Sequence, residues 1–224
     1  RSGQESIIKA ILDKKNVLAV MPTGAGKSLC YQLPAIMSDF STIVISPLLA
    51  LIDDQVASLT ALGLSVSSIH SGKDRETNIV EWKKFTSGFS KLVYMSPERL
   101  MEERMINALQ KLNIGLFVID EAHCISKWGP DFRPQYSELS QLKKHFPNAT
   151  IAAFTATADK ATREDIVTQL SDKNFKTIVK GFDRPNLSLN VAEKSDIKNT
   201  LASILISKKG QSGIIYCLSR NEVD

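Results

Sequence analysis

Three cysteines in 224 residues, Cys30, Cys124 and Cys217, are odd in number, widely spaced and contain no CxxC pair. That argues against a disulfide framework and a zinc site and points to a reducing compartment. Long apolar runs are missing as well. None approaches the roughly 18 residues that would span a bilayer, and no signal peptide opens the chain, so no membrane partner is expected. No internal repeat or low-complexity tract is evident. Strong charge is absent too: the formal net charge of +4 permits a nucleic-acid partner without proving one. Only three histidines occur, none at ligand spacing with other histidines or with cysteines. His123 is therefore not expected to hold a metal, and His70 and His145 are expected at the surface or a rim. The rest of the composition, 43% hydrophobic and 23% charged, is that of a globular protein with a sizeable core.

What is present is a series of short apolar runs rich in β-branched residues: Val17–Met21, Thr42–Ser46, Ser65–His70, Lys91–Met95, Gly115–Asp120 and Ile151–Thr155. Stretches with helical spacing separate them. Near-continuous hydrophobicity predicts strands buried on both faces, hence an α/β fold with a mostly parallel sheet flanked by helices. Several runs end directly in polar loops, and in such sheets the carboxyl ends of the strands face the ligand crevice. Chemistry is therefore expected along one sheet edge. Residues 1–180 form the expected first domain and 181–192, which opens with "GFDRPNLSLNV", a linker. Residues 193–224 carry a helix-like stretch, Lys194–Lys208, and another buried-strand run, Gly213–Cys217, and are expected to be the truncated beginning of a second α/β unit.

Two signals on that edge carry chemistry. "MPTGAGKS", Met21–Ser28, follows a predicted strand and opens a predicted helix, the context a phosphate-binding loop requires, although Met21 stands where that pattern has its first glycine. Gly24 and Gly26 allow the tight turn that aims successive N–H groups at phosphate oxygens, and the helix N-terminus adds partial positive charge. Lys27 can reach the β- and γ-phosphates and the Ser28 hydroxyl can ligate Mg²⁺. The competing reading is a glycine turn with a surface lysine. In "VIDEAH", Val118–His123, a strand delivers two adjacent carboxylates to the same edge. Asp120 suits Mg²⁺, and Glu121 is suited to orient and deprotonate an attacking water. Alone, two acids at a strand end could merely begin a helix; beside a phosphate loop they point to a nucleoside triphosphatase.

"PTGAGKS", "DEAH" and "FTATA" (Phe154–Ala158), in this order, resemble motifs I, II and III of superfamily 2 helicases, in which the first position of the phosphate loop is commonly not glycine. "CISKWGPDFRPQY" (Cys124–Tyr136) alternates aromatic with cationic residues, and three of its positions, Gly129, Pro130 and Pro134, favour a loop. Aromatic faces and guanidinium planes stack on unpaired bases, although a core tryptophan with satellite aromatics would give a similar composition. This segment closely resembles the aromatic-rich loop of the RecQ family of DNA helicases. "VISPLLALIDDQV", "YMSPERL" and "GFDRPN" resemble that family as well.

The resemblance implies a RecA-like first domain, ATP and Mg²⁺ as cofactors, and 3′–5′ translocation on single-stranded DNA with unwinding of forked duplex in repair and recombination. It implies that Thr23, Gly24, Ala25, Gly26, Lys27, Ser28 and Leu29 line the nucleotide, while Gln4 of an "R-x-x-Q" element reads adenine. It implies strand contacts from Ser46, Pro47, Gln55, Ser96 and Arg99, a strand sensor in Lys127, Trp128, Phe132 and Arg133, and coupling of hydrolysis to domain motion through Thr155 and Thr157. Ser-Pro turns are also ordinary helix starts. Trp82 is expected to pack an amphipathic helix. Family members place an arginine finger and further contacts in a second RecA-like domain, of which this chain is expected to hold only the beginning. Location would be cytoplasmic and nucleoid-associated in a bacterium, nuclear in a eukaryote. An RNA helicase of the same superfamily and a non-hydrolysing nucleotide-dependent binding module remain as rival classes.

Overall fold

The structure, a computed structural model, describes residues 3–126, 134–170, 175–181, 187–192, 196–217 and 219. Seven strands form one sheet: β1 (Val17–Val20), β2 (Ser41–Ile45), β3 (Val66–Ile69), β4 (Leu92–Met95), β5 (Ile114–Ile119), β6 (Thr150–Thr155) and β7 (Lys176–Val179), in the order β3-β4-β2-β5-β6-β1-β7. Every pairing is parallel. The six strand runs read between Val17 and Thr155 thus lie where expected, within a residue or two at their ends.

The near-continuous apolar runs serve two cores at once, because successive strand residues point to opposite faces. Leu18, Val20, Ile43, Ile45, Phe117, Ile119 and Ile151 pack on one face; Val17, Ala19, Val44, Leu116, Val118, Ala152 and Phe154 pack on the other. Helices α1 (Gln4–Leu12), α2 (Lys27–Met37) and α3 (Leu49–Ala61) cover the second face through Ile7, Ile11, Tyr31, Ile52 and Leu59. The first face is covered by α4 (Arg75–Thr86), α5 (Pro97–Leu100), α6 (Glu103–Leu109), α7 (Pro134–Ser137), α8 (Leu142–His145) and α9 (Lys160–Gln169). Local chemistry starts these helices. Asp74 accepts the Thr77 N–H at 2.8 Å and Asp159 the Thr162 N–H at 2.7 Å, each satisfying a first-turn donor. Trp82 is half-buried against the first core, its ring centroid 6.2 Å from that of Phe85, so it packs its helix as expected.

Three features depart from the sequence reading. Strand β7 lacks a long apolar run. It pairs only with β1 at the sheet edge and its side chains are largely exposed, so lysines flank it where a central strand would be apolar. His70 is buried at 2% exposure, not at the surface. Its Nδ1 accepts the Gly72 N–H at 3.2 Å, which leaves Nε2 to donate to Asp53 at 3.1 Å, so both ring nitrogens are satisfied inside. The run Gly213–Cys217 forms no strand, and Ile214 and Tyr216 are 77% and 89% exposed. A buried strand needs neighbours to receive its hydrogen bonds, and among the described residues of the unit Asp183–Asp224 there is no strand. That unit holds α10 (Ile197–Ser207), which buries none of its residues. The other compact unit is Arg1–Phe182.

Candidate nucleotide and strand site

A fully parallel sheet sends every strand's carboxyl end to one edge, and the strand order then sets which loops are neighbours. The loop after β1 holds Met21–Gly26, that after β5 holds Asp120 and Glu121, and β6 between them ends at Thr155. On the far side of β5 lie β2, which leads into Ser46-Pro47, and β4, which leads into Ser96-Pro97. The ladders run on past the strand ends: Met21 N–H donates to the Thr155 carbonyl at 3.0 Å, Asp120 N–H to Ile45 at 2.9 Å and Ser46 N–H to Met95 at 3.2 Å. These bonds fix the roots of the loops that carry the candidate chemistry.

The phosphate-loop geometry explains Met21. Its side chain is 1% exposed in the core beneath the loop. The left-handed backbone that requires glycine falls later, at Gly24 (φ 77°) and Gly26 (φ 82°). Position 21 therefore needs an apolar side chain. A Cβ at Gly26 would also lie 2.4 Å from Gln4 Nε2, so the Gln4 amide would have to shift. Gln4 is buried and donates to the carbonyls of Ala25 and Gly26 at 3.2 and 3.1 Å, so the structure places its amide under the loop. Thr23, Gly24 and Leu29 are exposed; Ala25, Gly26, Lys27 and Ser28 are half-buried. Lys27 Nζ folds back to the Met21 carbonyl at 3.3 Å, across the mouth of the loop.

The two carboxylates differ sharply. Burial pushes the Asp120 carboxyl up to about 6, with the neighbouring Glu121 charge adding to the shift; the Glu121 N–H, which Asp120 Oδ1 accepts at 3.0 Å, and the Lys27 ammonium oppose it. Glu121 itself takes a left-handed backbone, φ 48° and ψ 47°, a conformation uncommon outside glycine and asparagine that concentrates at functional sites. The strand thus turns abruptly after Asp120. Its outer carboxylate lies 3.3 Å from His123 Nδ1, and the same nitrogen is 2.9 Å from the Thr155 hydroxyl. Because that hydroxyl donates to the Thr157 carbonyl at 3.0 Å, it accepts from His123, making Nδ1 the protonated nitrogen. His123 joins the acidic turn to the end of β6 as a hydrogen-bonding bridge. Sequence reasoning had only excluded it as a metal ligand.

The loops toward β3 carry the expected strand contacts less uniformly. Ser46 and Ser96 are buried at 3% and 5% exposure, and the Ser46 hydroxyl makes no hydrogen bond. Pro97 occupies the first turn of α5. Arg99 pairs with Glu102 through both carboxylate oxygens, at 2.9 and 2.8 Å, in a half-exposed geometry that a phosphate can compete for. Gln55 Oε1 accepts from Gln32 at 3.0 Å. Lys127, Trp128, Phe132 and Arg133 lie outside the described residues. Both flanks of their segment are fixed: Ser126 donates to Asp165 at 2.7 Å, and Tyr136 donates to the Asp120 carbonyl at 3.1 Å. Among the described residues no cluster of three or more His, Cys, Asp or Glu side chains could hold a metal. Ser28 and the half-buried Asp120 instead offer one hydroxyl and one carboxylate, a set that suits Mg²⁺ sharing its shell with phosphates and water.

A strand-to-helix phosphate loop, with a half-buried acid at the end of the strand two places along the same sheet edge, defines a phosphate-loop nucleotide-binding α/β protein. The sequence profile of the DEAD/DEAH box helicase family matches residues 1–166, and the chain belongs to that family. It is 46% identical over 224 residues to the ATP-dependent DNA helicase RecQ of Haemophilus influenzae and 44% identical to that of Pasteurella multocida. Each alignment covers 100% of this chain but 36% and 35% of the relative. The chain therefore spans about a third of the length of these curated relatives. Its fold also matches a crystal structure of the DUF1998 helicase MrfA, with a TM-score of 0.73 over 100% of this chain and 36% of that one, at 19% identity. The fold is the RecA-like fold of helicase motor domains.

Proposed function

We propose that this chain carries the first motor domain and the beginning of the second of a RecQ-type helicase, which couples ATP hydrolysis to 3′–5′ movement on single-stranded DNA and opens forked duplex. The observation that carries this is the acidic turn at β5. It lies on a sheet edge between the phosphate loop at β1 and the Ser-Pro loops at β2 and β4. Lys27 neutralises charge on the β- and γ-phosphates, and the backbone N–H groups of Gly24–Ser28 cradle them. Ser28 and Asp120 would hold Mg²⁺, which supplies charge neutralisation and phosphate orientation. Glu121, turned out of the strand by its left-handed backbone, accepts a proton from the attacking water. His123 and Thr155 transmit its position to the end of β6. A linker at 181–192 and a second RecA-like domain beginning at 193 complete the proposed arrangement, and the two relatives' names support DNA as the substrate. Such a protein would work in the cytoplasm of a bacterium or the nucleus of a eukaryote.

The test separates binding from chemistry. In the intact protein, Glu121→Gln should bind Mg-ATP with near-native affinity and hydrolyse it at least about 100-fold more slowly, the scale of a general-base contribution. Collapse of nucleotide affinity instead would make Glu121 a ligand or a structural group. Stimulation of native turnover by RNA and not by DNA would overturn the substrate assignment.

A further inference from the structure

Gln32 lies one helical turn beyond Ser28 in α2, on the same side of the helix that grows out of the phosphate loop. Its side-chain amide is half-buried and uses its N–H donors on two different elements. One bond reaches Gln55 Oε1 of α3 at 3.0 Å; the other reaches the Tyr94 hydroxyl of β4 at 3.1 Å. Those partners sit behind the two Ser-Pro loops. Helix α3 follows Ser46-Pro47 directly, and β4 runs straight into Ser96-Pro97. A single amide therefore ties the helix that begins at the nucleotide loop to α3, which follows one strand-facing loop, and to β4, which leads into the other. Tyr94 is 1% exposed, so the anchor on β4 is rigid. Neither Gln32 nor Tyr94 lies in the nucleotide loop or the acidic turn, and hydrolysis by Glu121 does not need them.

We infer that Gln32 is a positioning residue whose paired bonds to Gln55 and Tyr94 make the affinity of the Ser-Pro loops for single strand depend on the state of the phosphate loop. A shift of α2 on nucleotide binding must move both partners or break a bond, so nucleotide and strand each bias the same junction. Coupling of this kind is reciprocal and is usually worth about 5- to 150-fold in affinity. This assigns Gln55 to the relay through Gln32 in place of a direct strand contact. The inference rests on the function proposed above.

The experiment measures, in the intact protein, the affinity for a fluorescent oligo-dT strand with and without a non-hydrolysable ATP analogue. The ratio of the two affinities is the coupling. Gln32→Met keeps an unbranched side chain of similar length and removes both donors. It should leave basal hydrolysis, nucleotide affinity and melting temperature near native while the ratio moves toward one by about 5-fold or more. Gln55→Met should produce a similar change, and the double variant no further change, because both remove the same link. A native ratio in a folded Gln32→Met protein would overturn the relay, as would additive effects of the two substitutions. Parallel loss of basal rate and melting temperature with the ratio would reduce the cluster to packing. A ratio of one in the unsubstituted protein would sink the proposed function together with the relay, whereas a native ratio that survives Gln32→Met sinks the relay alone.

Discussion

At the scale of the residue, two positions in the phosphate loop make opposite demands. Met21 stands where the general pattern has glycine, yet its side chain is core, at 1% exposure. Met21→Gly should therefore leave ATP affinity unimproved and lower stability by about 2–5 kcal/mol, the range for emptying a large apolar core site. Chemical denaturation beside ATP titration checks both halves. Asp120 makes the second demand. Its carboxyl titrates at about 6 in the folded chain against a reference value of 3.8, so as pH rises between those values the unfolded chain releases its proton first. The native state then holds more protons, and stability falls through that window. At neutral pH without Mg²⁺ the ionised Asp120 is a half-buried, incompletely compensated charge. Asp120→Asn should flatten this part of the pH–stability curve. At pH 7 without metal it should raise the melting temperature by about 2–4 °C for each kcal/mol relieved. Hydrolysis should be lost in the same variant, since the group that strains the fold is the one proposed to hold the metal.

At the scale of the element, the end of β6 and the turn after β5 are joined by His123. The bridge depends on one hydroxyl, which accepts from His123 and donates to the Thr157 carbonyl. Thr155→Val preserves the branched shape in a fully buried position and removes that hydroxyl. The expected outcome is a KM for ATP within about 2-fold of native and a kcat lowered by about 10-fold or more. The lower kcat reflects a lost hydrogen bond to an ionisable partner, worth about 1.5–3 kcal/mol. Steady-state kinetics decide it: a raised KM with unchanged kcat would place Thr155 in nucleotide binding instead. The bridge was not visible beforehand, because His123 and Thr155 are 32 residues apart and only the strand order makes them neighbours. The individual elements were visible. Strands β1, β2, β4, β5 and β6 announce themselves because a central parallel strand must be apolar on both faces. Edge strand β7 escapes notice for the same physical reason inverted.

At the scale of the whole molecule, the two units differ in how they hold themselves together. The unit Arg1–Phe182 buries two apolar layers on a seven-stranded sheet; in the unit Asp183–Asp224, α10 buries nothing and leaves Leu205 and Ile206 at 58% and 76% exposure. Amide hydrogen exchange should follow this difference. In the 224-residue chain, amides in β5 and β6 should exchange only through global opening, and those in Ile197–Ser207 with little protection, since buried apolar contacts are what set local stability. Protection of α10 equal to that of the central strands would contradict it. Hydropathy and short local motifs by themselves determined the parallel sheet, the edge on which its loops gather, the phosphate loop and the acidic pair Asp120-Glu121. Each of those is written in residues close together in the chain, where a strand, a glycine turn and a helix start follow one another. Tertiary structure alone decided the rest: the burial of Met21 and His70, the left-handed turn at Glu121, the donation of Gln4 to the loop carbonyls, and the contacts of Gln32 with residues 23 and 62 positions away. Those depend on which strands lie side by side, and a local pattern carries no information about neighbours that only packing brings together.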